Sequence, residues 1–236
     1  MAYFGKLVGI GRNRDGNPFG IYGLAIPEGH GDMWRLDVDY QRPGSNVISL
    51  VKAVPFGEKP ARNKENVEYK AIIANSHKGA TLISSGVHAD KTWEWILDGV
   101  CYEHCMAHGF INNGGAEPDS DRTPRIAAAV NVFSSGALGI GTGNGVYAEK
   151  VELEELGKAQ ILKTCTGEYS GVNGFVTSGR EIPAEIIDIY GSNVQKIADN
   201  LYDFLGPEAV SSAAVLWTSV GKGTNGWKVA ARNRHK

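Results

Sequence analysis

The sequence has few cysteines, no long apolar run and no excess of charge of either sign. Its three cysteines are an odd and low number for a chain of 236 residues, which argues against a disulfide framework. No segment approaches the roughly 18 uninterrupted apolar residues of a membrane span, and the first residues lack the basic and apolar regions of a signal peptide. These absences predict a cytoplasmic protein without a membrane partner.

The charge balance limits the partners that the chain is suited to bind. Its 24 Lys and Arg against 26 Asp and Glu give a net charge of −2, whereas dedicated nucleic-acid binders usually carry a basic stripe. We therefore expect no nucleic-acid partner. A small anionic ligand fits this composition, because about two or three well-placed arginines suffice for one phosphate. The length predicts a single domain over residues 1–236 that needs no disulfide or metal to fold.

Glycine, by contrast, is abundant, and the 31 glycines are interspersed with short Val, Ile and Tyr runs that favour strands with tight turns. The Asp15-Gly16 pair predicts a hairpin between the first two strands. The polar segment 27–44 is interpreted as a long loop, and long loops in compact domains are often functional. The predicted strands are 3–11, 19–26, 46–54, 69–75, 80–85, 126–133, 138–141, 146–151, 159–165 and 227–231.

Helical periodicity begins at Asp90. The spacing of apolar residues predicts a helix from Asp90, which serves as N-cap, to about His108. A second apolar stripe predicts a helix over residues 183–205 with a break near Gly191, and residues 207–220 are a further helix candidate. Helices placed between runs of antiparallel strands predict the α+β class.

Two motifs are assigned ordinary structural roles. The glycine-rich segment 139–145 is superficially like a nucleotide-binding loop, but both of its flanks have strand character, so a hairpin turn is favoured. Cys101, His104, Cys105 and His108 share one predicted helix. A structural zinc site usually takes four ligands from two elements, and buried thiols in a core helix are commoner. We therefore predict no metal.

Residues 84–90 form a candidate anion site. They end a strand, turn at Gly86 and enter a helix, whose free N–H groups favour an anion. The simpler interpretation is a turn followed by a helix N-cap at Asp90.

The segment from Glu117 to Arg125 is the most unusual in the chain. It places three carboxylates and two guanidiniums directly before an apolar strand. Carboxylates next to a cation can separate their pKa values and divide the roles of acid and base. A solvated loop is the alternative. It is weakened because Arg125 adjoins Ile126, whose burial would leave the guanidinium in need of a partner.

Taken together, these segments resemble the archaeal-type IMP cyclohydrolase family. That family shows a tyrosine strand, an S-N-G-x-x-T-D-like turn, then E-P-D followed by T-P-R-I, in this order. No piece is specific alone, but their order carries the resemblance over about residues 1–140. The matching pieces are Tyr3–Leu7 with Gly9, the hairpin strand ending at Tyr22, Tyr69–Ala71, Ser84–Asp90, Glu117–Asp119 and Thr123–Ile126.

The resemblance implies a four-layer αββα sandwich like that of the N-terminal nucleophile hydrolases, without their autoprocessing. The residue exposed by removal of Met1 is Ala2, which has no nucleophile and so agrees with this. The implied activity is the cyclisation of the 5-formamidoimidazole-4-carboxamide ribonucleotide to IMP with loss of water, in purine biosynthesis. No cofactor enters this chemistry, and a homo-oligomer is a further implication.

The resemblance also implies roles for single residues. Tyr69 would polarise or protonate the formyl oxygen, while Glu117 and Asp119 would move protons and hold the carboxamide. An arginine of the 27–44 loop would meet the substrate. Arg42 fits best by its distance to the next strand, and Arg35 is the rival. The implied substrate-binding residues are Ser85, Gly86, His88, Asp90, Thr123 and Arg125.

Two departures from the family pattern concern the substrate. Ser85 stands where the family has asparagine, and the family's S-R-S…N-R loop is replaced by a longer run with Gly29-His30-Gly31. The alternatives are therefore a cyclohydrolase or amide hydrolase acting on a related nucleotide, or a nucleotide-binding relative without catalysis.

Overall fold

Two antiparallel β-sheets form most of the protein. The computed structural model describes residues 5–25, 34–41, 48–55, 68–117, 123–164, 184–218 and 226–234. In chain order the strands are β1 (Gly5–Arg12), β2 (Pro18–Ala25), β3 (Trp34–Gln41), β4 (Ile48–Pro55), β5 (Tyr69–Asn75), β6 (Ala80–Ser84), β7 (Arg125–Asn131), β8 (Ser135–Thr142), β9 (Gly145–Glu152), β10 (Lys158–Lys163), β11 (Glu185–Asp188), β12 (Ala209–Thr218) and β13 (Gly226–Asn233). The helices are α1 (Ala89–Leu97), α2 (Tyr102–Ile111) and α3 (Val194–Leu205).

The strands separate into a six-stranded and a seven-stranded sheet. The first has the order β11-β10-β1-β2-β12-β13, and the second runs from β3 to β9 in sequence order. Alternation along β2 shows how the sheets pack. Tyr22 and Leu24 point into the apolar cluster between the sheets, while Phe19 and Ile21 point to the opposite face. The main core therefore lies between the two sheets.

The three helices pack on the outer faces of the sheets. Helix α3 contacts β2, β12 and β13, and its N-cap Asn193 accepts a hydrogen bond from the Lys196 N–H at 3.0 Å. Helices α1 and α2 pack on the seven-stranded sheet, where Met106 and Phe110 join its outer apolar cluster. No helix within the described ranges has the length and apolar character needed to cross a membrane.

The predicted α+β class and four-layer αββα sandwich are wrong. The described part of the chain is mostly antiparallel sheet, with thirteen strands and three short helices. Two segments predicted as helical form strands, since β12 occupies most of 207–220 and β11 lies within 183–205. Strand β12 sits between β2 and β13 and is buried over most of its length. A strand buried on both faces lacks the polar and apolar alternation of a half-exposed strand, so periodicity does not distinguish it from a buried helix.

Other local predictions had mixed outcomes. The hairpin at Asp15-Gly16 and the turn within 139–145 are confirmed, because they join β1 to β2 and β8 to β9. The predicted helix from Asp90 to His108 is instead two helices, separated at Gly99, whose φ of +83° ends the first. The predicted loop 27–44 contains a strand, β3.

Asn233 closes the outer edge of the seven-stranded sheet at β3. The Leu36 N–H donates to Asn233 Oδ1 at 2.9 Å, and Asn233 Nδ2 donates to the Leu36 carbonyl at 3.1 Å. The side-chain amide thus bonds Leu36 as the backbone of another strand would. Because Asn233 belongs to β13, this pair also ties the two sheets together.

Candidate active site

One edge of the inter-sheet core gathers polar side chains from both sheets. The start of β5, the end of β6 and the start of β7 meet at this edge, because neighbouring strands run antiparallel. Tyr69 begins β5 and Arg125 begins β7. Lys6 and Tyr22 face them from β1 and β2 of the other sheet. Glu117 comes from the turn that follows α2.

Two tyrosine hydroxyls meet across the sheet interface. The hydroxyl oxygens of Tyr22 and Tyr69 are 2.5 Å apart, and Tyr22 is fully buried. Burial raises the pKa of both phenols above the usual value, and the charge of Glu117 raises each pKa further. Both side chains are therefore neutral phenols at neutral pH.

Lys6 links the tyrosine pair to the acidic segment. Its ammonium donates to the Ser85 carbonyl at 2.8 Å and lies 3.6 Å from Glu117 Oε1. The same nitrogen is 5.2 Å from the centroid of the Tyr69 ring, within the range of a cation–π contact. Lys6 was not among the residues predicted for the site. Its position within the Tyr3–Leu7 piece of the resemblance was the available signal.

The turn after α2 delivers Glu117 to the site. Gly114 and Gly115 have φ values of +80° and +79°, which glycine adopts without the steric cost of a Cβ. The Glu117 N–H then donates to the carbonyl of Thr123 at 2.8 Å, so residues 117 and 123 are held together. This backbone contact links Thr123 to the site.

Arg125 is buried against Glu117. Its side chain is 3% exposed, and its Nε lies 3.5 Å from Glu117 Oε2. Its Nη1 donates to the carbonyl of Asn113, which fixes the turn after α2. The guanidinium therefore has the carboxylate partner that its burial requires.

Ser85 and Gly86 belong to the turn after β6, which borders the site. Ser85 is fully buried, and its hydroxyl accepts the Ile126 N–H at 2.9 Å, so its side chain is engaged with β7. A Cβ on Gly86 would lie 2.4 Å from Glu117 Oε1. Glycine at this position is what allows the carboxylate to approach the backbone.

His88 follows this turn as the N-cap of α1, and its side chain is a neutral imidazole. Burial lowers its pKa to about 3, and the positive charges of Arg125 and Lys6 act in the same direction. Its Nε2 is 3.0 Å from Ser84 Oγ, and its ring packs on Phe110 at a centroid distance of 4.6 Å. Its Nδ1 has no hydrogen-bond partner among the residues that the structure describes.

Two other predicted residues, Asp90 and Arg35, lie away from this cluster. Asp90 is exposed and pairs with Lys70 Nζ at 2.5 Å, and the N-cap of α1 is His88, so the predicted N-cap at Asp90 is wrong. Arg35 is half-exposed on β3 and pairs with Asp37. Arg42 and Asp119 lie outside the described residues.

The Cys and His side chains at residues 101–108 do not form a cluster of three metal-ligating groups. Within the described ranges, no three side chains of metal-ligating type come together. Cys105 is buried, as predicted for a thiol in a core helix, whereas Cys101 is exposed with its Sγ 2.7 Å from His104 Nδ1.

Comparison with known proteins identifies the family. A family model described as IMP cyclohydrolase-like protein matches residues 3–222. The chain belongs to the IMP cyclohydrolase-like family. The match confirms the resemblance and extends it beyond the N-terminal part that first suggested it. A comparison with curated proteins gave no match to this chain.

The site of this IMP cyclohydrolase-like chain combines two cations with one carboxylate, two neutral phenols and a neutral imidazole. Lys6 and Arg125 both lie beside Glu117, so these described residues carry a net positive charge. Such a site can attract an anion, donate a proton from Tyr69 and accept one at Glu117.

Proposed function

We propose that this chain is an IMP cyclohydrolase that closes the six-membered ring of the purine. The observation that carries the proposal is the position of Lys6, whose ammonium lies 5.2 Å from the centroid of the Tyr69 ring and 3.6 Å from Glu117 Oε1. A neutral phenol and a carboxylate thus share one cation at the same site. Family membership supports cyclohydrolase chemistry for this acid and base pair.

The first step of the proposed reaction forms the ring bond. The carboxamide nitrogen attacks the formyl carbon, while the formyl C=O becomes a C–OH group. Tyr69 donates its phenolic proton to the formyl oxygen, and Glu117 accepts a proton from the carboxamide nitrogen. The product of this step is a cyclic carbinolamine. Tyr69 is then a phenolate and Glu117 a carboxylic acid.

The second step expels water and restores both side chains. The hydroxyl group leaves with the proton held by Glu117, and the former formamido nitrogen gives its proton to the Tyr69 phenolate. A C=N bond forms between that nitrogen and the carbon that lost the hydroxyl. One water leaves in total, and the enzyme returns to its starting protonation state.

Positive charge at the site lowers the free-energy barrier of this proton transfer. The Lys6 ammonium stabilises the negative charge that develops on Tyr69, and it also lies beside Glu117. Arg125 is too buried to contact a substrate, so we assign it to holding Glu117 in place rather than to substrate binding. Ser85 and His88, both fully buried, are assigned to supporting the site in the same way. A nucleotide phosphate adds negative charge that suits the positive balance of the site.

Turnover of the formylated ribonucleotide tests the proposal. Purified protein is incubated with this substrate, and IMP formation is followed by absorbance against a sample without protein. We expect turnover in the wild type, loss of it in Tyr69→Phe, and normal turnover in Tyr202→Phe. Tyr202 is the matched control. It lies on α3, away from the site, and its hydroxyl donates to the Ala209 carbonyl at 3.1 Å.

The same samples separate the alternatives. A ligand at 100 times its Kd stabilises the fold by about 2.7 kcal/mol, which a thermal shift detects. Stabilisation by IMP without turnover indicates a binding relative that has lost catalysis. Stabilisation by a different nucleotide, with no response to IMP, indicates a cyclohydrolase or amide hydrolase with another substrate. Either result overturns the proposal.

A further inference from the structure

The hydrogen-bonded tyrosine pair contains a second residue that the proposed reaction needs. We propose that Tyr22 is a positioning residue, which holds Tyr69 with its phenolic proton directed to the substrate. This inference rests on the proposed function, because it assigns a role in the same proton transfer.

Burial separates the two tyrosines into an outer and an inner member. Tyr69 is 9% exposed, whereas Tyr22 is 0% exposed. Tyr22 lies on β2 in the middle of its sheet, where it is opposite Val8 of β1 and Ala213 of β12. Of the two side chains, Tyr69 alone keeps an exposed fraction through which a substrate can make contact. Any effect of the Tyr22 hydroxyl on the reaction passes through Tyr69.

Catalysis requires one direction of the hydrogen bond between the two tyrosines. Each neutral phenol has one O–H proton, and one of the two protons is used in the bond between them. If Tyr69 donated to Tyr22, its proton would not be available to the formyl oxygen. The Tyr22 hydroxyl has no other hydrogen-bond partner among the described residues, so donation to Tyr69 is what satisfies its one proton. This arrangement leaves the Tyr69 proton free to point outward.

The same donation assists the proton transfer itself. When the Tyr69 O–H bond breaks, its oxygen becomes an anion in a mostly buried position. The Tyr22 O–H bond stays intact and donates to that oxygen, in the manner of an oxyanion-hole donor. Lys6 stabilises the same charge from the ring face, 5.2 Å from the centroid.

Packing limits the direction in which Tyr69 can point. Its ring lies 6.0 Å from the ring of Trp34 and 6.5 Å from the ring of Tyr22, which it meets edge-on at 68°. These neighbours restrict the tilt of the ring, and the Tyr22 hydroxyl then fixes the oxygen. Phenylalanine would fill the position of Tyr22 without burying a polar atom, so packing alone gives no reason for a hydroxyl there.

A double-mutant cycle tests this role. The four proteins are the wild type, Tyr22→Phe, Tyr69→Phe and the double variant, each assayed for kcat and KM with the formylated ribonucleotide. We expect Tyr22→Phe to lower kcat by at least about tenfold, with KM within about threefold, since it weakens a contact that matters in the transition state. The double variant should be no slower than Tyr69→Phe alone, because residues that act as one unit are not additive.

Each outcome of the cycle decides one question. A wild type without turnover overturns the proposed function. Turnover in the wild type with full kcat in Tyr22→Phe overturns only the role of Tyr22. A double variant whose loss equals the product of the two single losses also overturns it, because Tyr22 would then act independently of Tyr69. Tyr202→Phe controls for hydroxyl removal, and melting temperatures verify that all variants are folded.

Discussion

Gly86 and Glu117 are in such close contact that a methyl group on the Cα of Gly86 would lie 2.4 Å from the Glu117 carboxylate. We therefore expect Gly86→Ala to displace that carboxylate and to lower kcat by roughly 10- to 100-fold, since misplacement of a reacting group by about 1 Å can cost 10²-fold. Steady-state kinetics measures the change. Gly145→Ala is the control, because its nearest neighbouring atom lies 3.3 Å from the added methyl group. A Gly86→Ala protein with wild-type kcat would show that the carboxylate position does not matter.

Replacing Glu117 with Gln removes the proposed base and leaves its shape. We expect kcat to fall by roughly 10²–10⁴, the usual worth of a general acid or base. The free energy of unfolding should also fall by about 1–3 kcal/mol, because Gln no longer balances the charge of buried Arg125. Kinetics and denaturant unfolding measure the two effects. Glu94→Gln disrupts only an exposed pair with Lys91 and should alter stability by no more than about 0.5 kcal/mol. Full activity in Glu117→Gln would contradict its role as base.

Protonation of His88 should destabilise the fold in acid. Its folded pKa is about 3, below the ordinary value of 6.5, so the unfolded chain binds the proton more readily in that pH range. The stability associated with the neutral imidazole is thus present above about pH 6.5 and is lost as the pH falls toward 3, at up to about 1.4 kcal/mol per pH unit. Unfolding measured from pH 7 to pH 5 should show a flatter dependence in His88→Gln. The exposed His104 provides the control variant, His104→Gln, and equal slopes in all three proteins would refute the prediction.

Replacement of Asp90 should have little effect on the kinetics. The sequence resemblance places it in the substrate site, but its carboxylate is exposed and pairs with Lys70 on the surface. Exposed ion pairs are worth about 0–1 kcal/mol, so Asp90→Asn should leave kcat and KM within about twofold of wild type. A tenfold rise in KM would return Asp90 to the substrate-binding group.

The sequence was sufficient to predict local structure where a few neighbouring residues determine it. Turn chemistry at Asp15-Gly16 and in segment 139–145 identified two hairpins correctly. Prediction from periodicity failed for β12, because a strand buried on both faces has no alternating pattern to distinguish it from a helix. The prediction from the sequence also failed at Glu185–Asp188, which form β11 and not part of a helix. A Cβ on Gly191 would lie 2.8 Å from the Ile197 nitrogen, so the chain turns sharply there before α3 begins.

The composition of the site was only partly predictable for a similar reason. The proximity of Glu117 to Arg125 follows from their short separation in sequence, and the expected burial of Ile126 predicts that the adjacent Arg125 needs a charge partner. Lys6 and Tyr22 belong to the opposite sheet. Their approach to Tyr69 depends on how the two sheets pack, and no local pattern in the sequence specifies that packing.

The amide bridge between Asn233 and Leu36 has a consequence for self-association. Unpaired backbone groups on an edge strand recruit strands from other molecules, which leads to aggregation. Asn233 occupies the Leu36 N–H and carbonyl on the outer side of β3, where Val38 and Tyr40 are also exposed. Loss of the C-terminal residues from Asn233 onward would open this edge while the proposed catalytic groups remained in the chain. C-terminal proteolysis would thus convert β3 into a nucleus for intermolecular sheet growth.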